Sequence, residues 1–119
     1  MASERWGGGV DTVGGQTLVT LVSQTAYRGA VAACGLAGGS DFPGTVFPFI
    51  LRNVALLGCD SDMTPPEERR RGWKLLVDHL RALHLDEMTE EGPLSKLVDF
   101  APRIVDGQVR GRVVVNVNA

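Results

Sequence analysis

The stretch "VAACGLAGG" (residues 31–39) decides how the chain is read. A run of small and apolar residues passes directly into three glycines within five positions. The near-continuous apolar run suits a strand covered on both faces, as in a parallel sheet. A tight reverse turn needs one glycine, not three. Glycine is costly where the backbone must stay ordered, so the cluster predicts that something lies very close to the main chain at this strand end.

Working outward on the N-terminal side, "GVDTVGG" (residues 9–15) reads as a short strand over 10–13, closed by glycines. In "QTLVTLVSQTA", Leu18, Leu21, Val22 and Thr25 fall at helical spacing and predict one apolar face. The strand of the opening stretch then covers 29–34. Beyond it, "LAGGSDFPGTVFPFILRN" is a loop with a short helical turn near 46–51, and "VALLGCD" (54–60) is a third strand of the same buried type. Strands separated by helical crossovers imply a parallel α/β sheet.

The clearest helix is "MTPPEERRRGWKLLVDHLRALHL" (63–85). Thr64 can cap it, Pro65 suits the first turn, and Glu67 completes a capping box. Trp73, Leu76, Val77, Leu80 and Leu83 form the stripe, and Gly72 weakens it by about 1 kcal/mol relative to alanine. "PLSKLVDFAPRIVDG" (93–107) repeats the pattern with Leu94, Leu97, Val98, Ala101, Ile104 and Val105. Pro102 is expected to kink or split that helix, and Gly107 to end it. The final run, "RGRVVVNVN", is a strand.

The bulk properties exclude several function classes. The 119 residues suffice for one small domain, and the net charge of −2 offers no basic face to a nucleic acid. Arg69, Arg70 and Arg71 follow Glu67 and Glu68 and read as a solvated helix face. No apolar stretch approaches the roughly 18 residues of a membrane span, and "MASERWGGG" lacks the apolar core of a signal peptide. Cys34 and Cys59 match no zinc spacing and are expected to be buried, reduced thiols, which points to the cytoplasm. His79 and His84 stand five apart where a helical metal pair needs four, so no metal site is assigned.

Three strand ends share a character: "DTVGG", "AACGLAGG" and "GCDSD". In an open parallel sheet, ligands bind beyond the carboxyl ends of the strands. Side by side, these ends would make a shelf floored by backbone, open to a flat ligand. The alternative is three independent turns of ordinary composition. No Gly-x-Gly-x-x-Gly and no Walker motif occurs, so a phosphate anchor is missing. Catalytic residues are not assigned. Asp60 and Ser61 have no histidine in plausible reach, and Asp11 reads as structural. Glu67–Glu68, Asp86–Glu87 and Glu90–Glu91 read as solvated helix ends or loops.

"RWGGGVDTVGG", "YRGAVAACGLAGGSDFPGTVFPFILRNVALLGCDSDMTPPEERRRGW" and "VRGRVVVNVN" closely resemble the zinc-free acryloyl-CoA reductase and quinone-oxidoreductase-like branch of the medium-chain dehydrogenases/reductases. The resemblance covers nearly the whole chain, from about Arg5 onward. Family members are nearly three times as long, and this chain looks like their C-terminal third. The resemblance implies an α/β fold: residues 1–62 as strands four to six of a Rossmann sheet, and residues 63–119 as the C-terminal helices and strand of the catalytic domain. It implies NADPH as cofactor, hydride transfer to an activated alkene such as an acryloyl thioester or to a quinone, and no catalytic zinc. It places Gly14 under the ribose and the backbone of Cys34, Gly35 and Leu36 beside the nicotinamide. Asp60 and Ser61 would line the far side of the ring, and Arg110 or Arg112 would reach the cofactor phosphates. Asp62 departs from the apolar residue expected there. The resemblance further implies a homodimer paired through residues 54–60. The rival reading is a non-catalytic, truncated interaction module that keeps this association strand and has no activity.

Overall fold

A computed structural model describes residues 2–80 and 85–119. It divides into two compact units, Met1–Thr64 and Pro65–Ala119.

In the first unit, β1 (Trp6–Asp11), α1 (Gly15–Gln24), β2 (Thr25–Ala33), α2 (Phe47–Arg52) and β3 (Ala55–Gly58) follow one another. The strands pair in parallel in the order β1-β2-β3. Leu18 and Val22 of α1, Val31 of β2 and Val54 before β3 form the core, with Leu21, Ala33 and Phe49 packed against it. Both helices therefore cover the face that carries Val31, as crossovers of one hand require. The opposite face is bare. Val10 is 72% exposed there and Leu57 is 54% exposed, although parallel sheets are normally covered on both sides.

The first strand begins earlier than its sequence suggests, at Trp6 instead of residue 10. "WGGG" has no apolar alternation to announce a strand. Its glycines serve packing: a Cβ on Gly8 would lie 2.8 Å from the carbonyl oxygen of Ala30, and one on Gly9 would lie 2.8 Å from the Leu21 side chain. The second strand likewise starts at Thr25. The register slips between Trp6 and Gly8, and Arg28 in this region adopts a φ of 62°. Thr25, expected on the helix's apolar face, is fully buried as the first residue of β2, and its hydroxyl donates to the Leu21 carbonyl at 2.8 Å.

Arg52 ties this unit together, and nothing in the sequence pattern marks it. Its guanidinium donates to the carbonyls of Ser23 (2.9 Å), Thr25 (3.4 Å) and Ala2 (2.6 Å) and pairs with Glu4 at 3.2 Å. Five donors in a planar fork suit one arginine to collect several carbonyls.

The second unit holds α3 (Pro66–Leu80), β4 (Thr89–Pro93), α4 (Leu97–Val105) and β5 (Arg112–Asn116), with 3-10 turns at Asp86–Met88 and Leu94–Lys96. The anticipated stripe residue Leu83, and His84, lie outside the described residues. Glu90 and Glu91, read as helix-end or loop residues, belong to β4, which pairs in parallel with β5. α4 runs through Pro102 without splitting and ends at Val105, two residues before Gly107, whose φ is +67°. Arg103 reaches from α4 to both carboxylate oxygens of Glu90, at 3.3 and 3.2 Å. Phe100 is the buried apolar side chain of this unit among the described residues, set against Gly92. The expected apolar face of α4 is mostly in solvent, as are Trp73, Leu76 and Val77 of α3.

Candidate functional site

The register sets the site. Asp11 pairs with Ala33, and Ala33 pairs with Gly58, so the three strands end level. The ladder continues one step beyond them: the amide of Cys34 donates to the Asp11 carbonyl at 2.9 Å, and that of Cys59 to the Ala33 carbonyl at 2.9 Å. Gly14, Cys34, Gly35, Leu36, Asp60 and Ser61 thus all follow adjacent carboxyl ends of one parallel sheet, where such sheets bind ligands.

The question raised by the glycines has a structural answer. The turn after β1 and the loop after β2 are zipped together, backbone to backbone. The Gly38 amide donates to the Val13 carbonyl at 2.7 Å and that of Ala37 to the Thr12 carbonyl at 3.5 Å, while the Gly39 amide closes the second loop on itself through the Leu36 carbonyl at 3.0 Å. A Cβ on Gly14 would run into the carbonyl oxygen of Gly39, and one on Gly35 into that of Thr12. What lies close to the main chain is the neighbouring loop. Gly14 adds a conformational demand, with φ 72° and ψ −161°, a region essentially reserved for glycine. Buried Asp11 locks the turn by accepting the Gly14 amide on Oδ2 at 2.8 Å, the structural role anticipated for it.

Asp60 is also engaged in its own turn. Its Oδ1 accepts the amides of Asp62 (3.0 Å) and Met63 (3.1 Å), and its carbonyl accepts the Thr64 hydroxyl. Asp62 is exposed at this turn. Both cysteines, expected to be buried, are exposed, because each sits one residue past a strand end in line with the bare face.

Arg110 and Arg112 belong to the second unit and are both exposed. Strand alternation does not relate them. Gly111 between them has φ 82°, and only Arg112 is in β5. A groove of about 410 Å³ runs between β1 and α1, lined among others by Val10, Thr12, Val13, Gln16 and Thr17. Sequence reasoning did not single it out, because its lining is drawn from two elements by their packing. Among the described residues no cluster of histidine, cysteine and carboxylate could hold a metal. No helix among them is long and apolar enough to cross a membrane.

A parallel sheet with crossover helices on one face and glycine loops at its carboxyl edge is part of a Rossmann-type α/β oxidoreductase fold. No family model matches the sequence. Individual proteins do. The chain is 47% identical over 119 residues to acrylyl-CoA reductase AcuI of Ruegeria pomeroyi, covering all of this chain and 36% of that protein. The crystal structure of Escherichia coli K-12 YhdH with bound NADPH superposes with a TM-score of 0.88 at 47% identity, over 99% of this chain and 36% of that one. Bacillus subtilis YhfP, crystallised with NAD, gives 0.85 at 37% identity, over 98% and 36%. In sequence and fold the chain is thus similar to medium-chain dehydrogenase/reductase oxidoreductases of the acryloyl-CoA reductase and quinone-oxidoreductase-like branch. It spans about a third of the length of the relatives it matches.

Proposed function

We propose that this chain is the C-terminal portion of an NADPH-dependent oxidoreductase that reduces an activated alkene, such as a 2-enoyl thioester, or a quinone by hydride transfer. In this reading residues 1–62 are a partial dinucleotide-binding domain and residues 63–119 are the end of the catalytic domain, inactive on their own. The observation that carries it is the level edge of three parallel strands, together with relatives of nearly half-identical sequence, one of them crystallised with NADPH.

The residues present fit one end of a dinucleotide. A Cβ on Gly39 or Gly58 would meet nothing within 4 Å, so the edge has open backbone at which a flat ring can lie. The backbone of Cys34, Gly35 and Leu36 would orient the ring, Gly14 would underlie the ribose, and the Asp60–Ser61 turn would border the far side. The diphosphate has no anchor here, because no Gly-x-Gly-x-x-Gly loop is present. Arg110 or Arg112 would supply charge to the phosphates. A bound reduced nicotinamide supplies the hydride, and the protein contributes position and electrostatics.

The reading extends to a homodimer joined through β3 and to a cytoplasmic location. β3 is an edge strand, and α2 just before it presents Phe47, Ile50 and Leu51 to solvent. An exposed edge beside an apolar patch is prone to pairing. The same surface would serve the non-catalytic interaction module, which has no need of the shelf.

A chimera separates the two. In it this chain replaces the segment of the E. coli relative to which it aligns. NADPH oxidation driven by acryloyl-CoA or a quinone supports the enzyme reading. A folded, dimeric chimera that binds no NADPH refutes that reading and leaves the interaction module.

A further inference from the structure

We propose that Cys34 and Cys59 form a dithiol site that closes into an intramolecular disulfide when a low-molecular-weight disulfide such as oxidised glutathione acts on it. Ala33 and Gly58 are register partners on β2 and β3, and the Cys59 amide donates to the Ala33 carbonyl at 2.9 Å. Cys34 and Cys59 are therefore the next pair across adjacent strands. Neighbouring strands lie about 4.8 Å apart, within the window of about 4.4–6.8 Å between the Cα atoms of a disulfide. Equal places in the alternation send both side chains to the same face of the sheet, the bare one. Both cysteines are exposed, so an oxidant can reach them. The Cys34 Sγ rests on the Asp11 carbonyl at 3.3 Å, toward β1. Turning it toward β3 takes a χ1 rotation and gives up one bond from a weak donor.

The chemistry balances without any further reactant. One thiol, as its thiolate, attacks a sulfur of oxidised glutathione, breaks that S–S bond and releases one glutathione. The second thiolate attacks the protein sulfur of the mixed disulfide, forms the Cys34–Cys59 bond and releases the second glutathione. Two electrons pass from the protein thiols to the oxidant, and their two protons end on the released thiols. The disulfide exchange itself needs no bound nucleotide, although the pair lies at the strand edge proposed to orient the nicotinamide.

The test treats the full chain with oxidised glutathione, natively and in guanidinium chloride, and follows free thiols and intact mass after alkylation. The native chain is expected to lose the mass of two hydrogens and retain no glutathione. It should close at least about tenfold faster than the unfolded chain, because the fold raises the local concentration of one thiol at the other. Cys34→Ser and Cys59→Ser should each hold one stable glutathione adduct. Two stable adducts on the native chain, disulfide-linked dimers, no reaction, or equal rates in the native and unfolded states would each overturn the proposal.

Discussion

Replacing Gly14 by alanine tests the zipped loops most directly. The residue has φ 72° and ψ −161°, and the new Cβ would meet the Gly39 carbonyl oxygen. Holding a non-glycine residue in so sparse a region costs about 1–3 kcal/mol. The contact cannot relax freely, because the Gly38 amide is bound to Val13 at 2.7 Å and the Gly14 amide to Asp11 at 2.8 Å. The matched control is Gly58→Ala. A Cβ there meets nothing within 4 Å, and its φ lies outside the left-handed range. It should be neutral or gain up to about 1 kcal/mol from the reduced freedom of the unfolded chain. Urea denaturation would be followed by Trp6 fluorescence in a Trp73→Phe background, so that the signal reports the first unit. With a slope of about 1 kcal/mol/M for a small unit, Gly14→Ala should lower the midpoint by about 1–3 M. A Gly14→Ala midpoint indistinguishable from the parent, or an equal loss in Gly58→Ala, would refute the packing argument.

Further predictions follow from other contacts. Arg52→Ala should cost about 1.5–3 kcal/mol, since charge-assisted bonds to the Ser23 and Thr25 carbonyls are lost; thermal melts would read this, with Arg52→Lys recovering only part. Asp60→Ala should loosen the turn at 60–63 by about 1 kcal/mol, and Asp60→Asn, which keeps an acceptor oxygen, should restore most of it in amide exchange at Asp62 and Met63. The isolated chain should not bind NADPH at micromolar affinity, because each missing charge-assisted phosphate bond forfeits about 1.5–3 kcal/mol; calorimetry giving a micromolar Kd would contradict this. In an active chimera, alanine at whichever of Arg110 and Arg112 serves the proposed phosphate contact should raise KM for NADPH with kcat nearly unchanged. If both single replacements leave KM within about twofold, neither arginine serves the phosphate.

Composition and pattern alone determined the parallel α/β class. The "AVAA" run of β2 and "ALLG" of β3 carry small and branched apolar residues without alternation, the signature of a sheet meant to be covered twice. The crossover helix α1 was legible from Leu18, Leu21 and Val22 because helical spacing is a local property. The length and specificity of the shared motifs were enough to point to the oxidoreductase branch. Tertiary structure decided the rest, wherever partners distant in sequence set the outcome. β1 begins in "WGGG" because β2 supplies its hydrogen-bonding partner, and at Gly8 a side chain would meet the Ala30 carbonyl oxygen. β4 arises from "TEEGP", with no apolar pattern, because β5 supplies its hydrogen bonds. The glycines of residues 31–39 announced a close approach, but their sequence could not say to what. The fold supplies the facing loop, since the level ends of β1 and β2 bring two backbones together where a side chain would not fit.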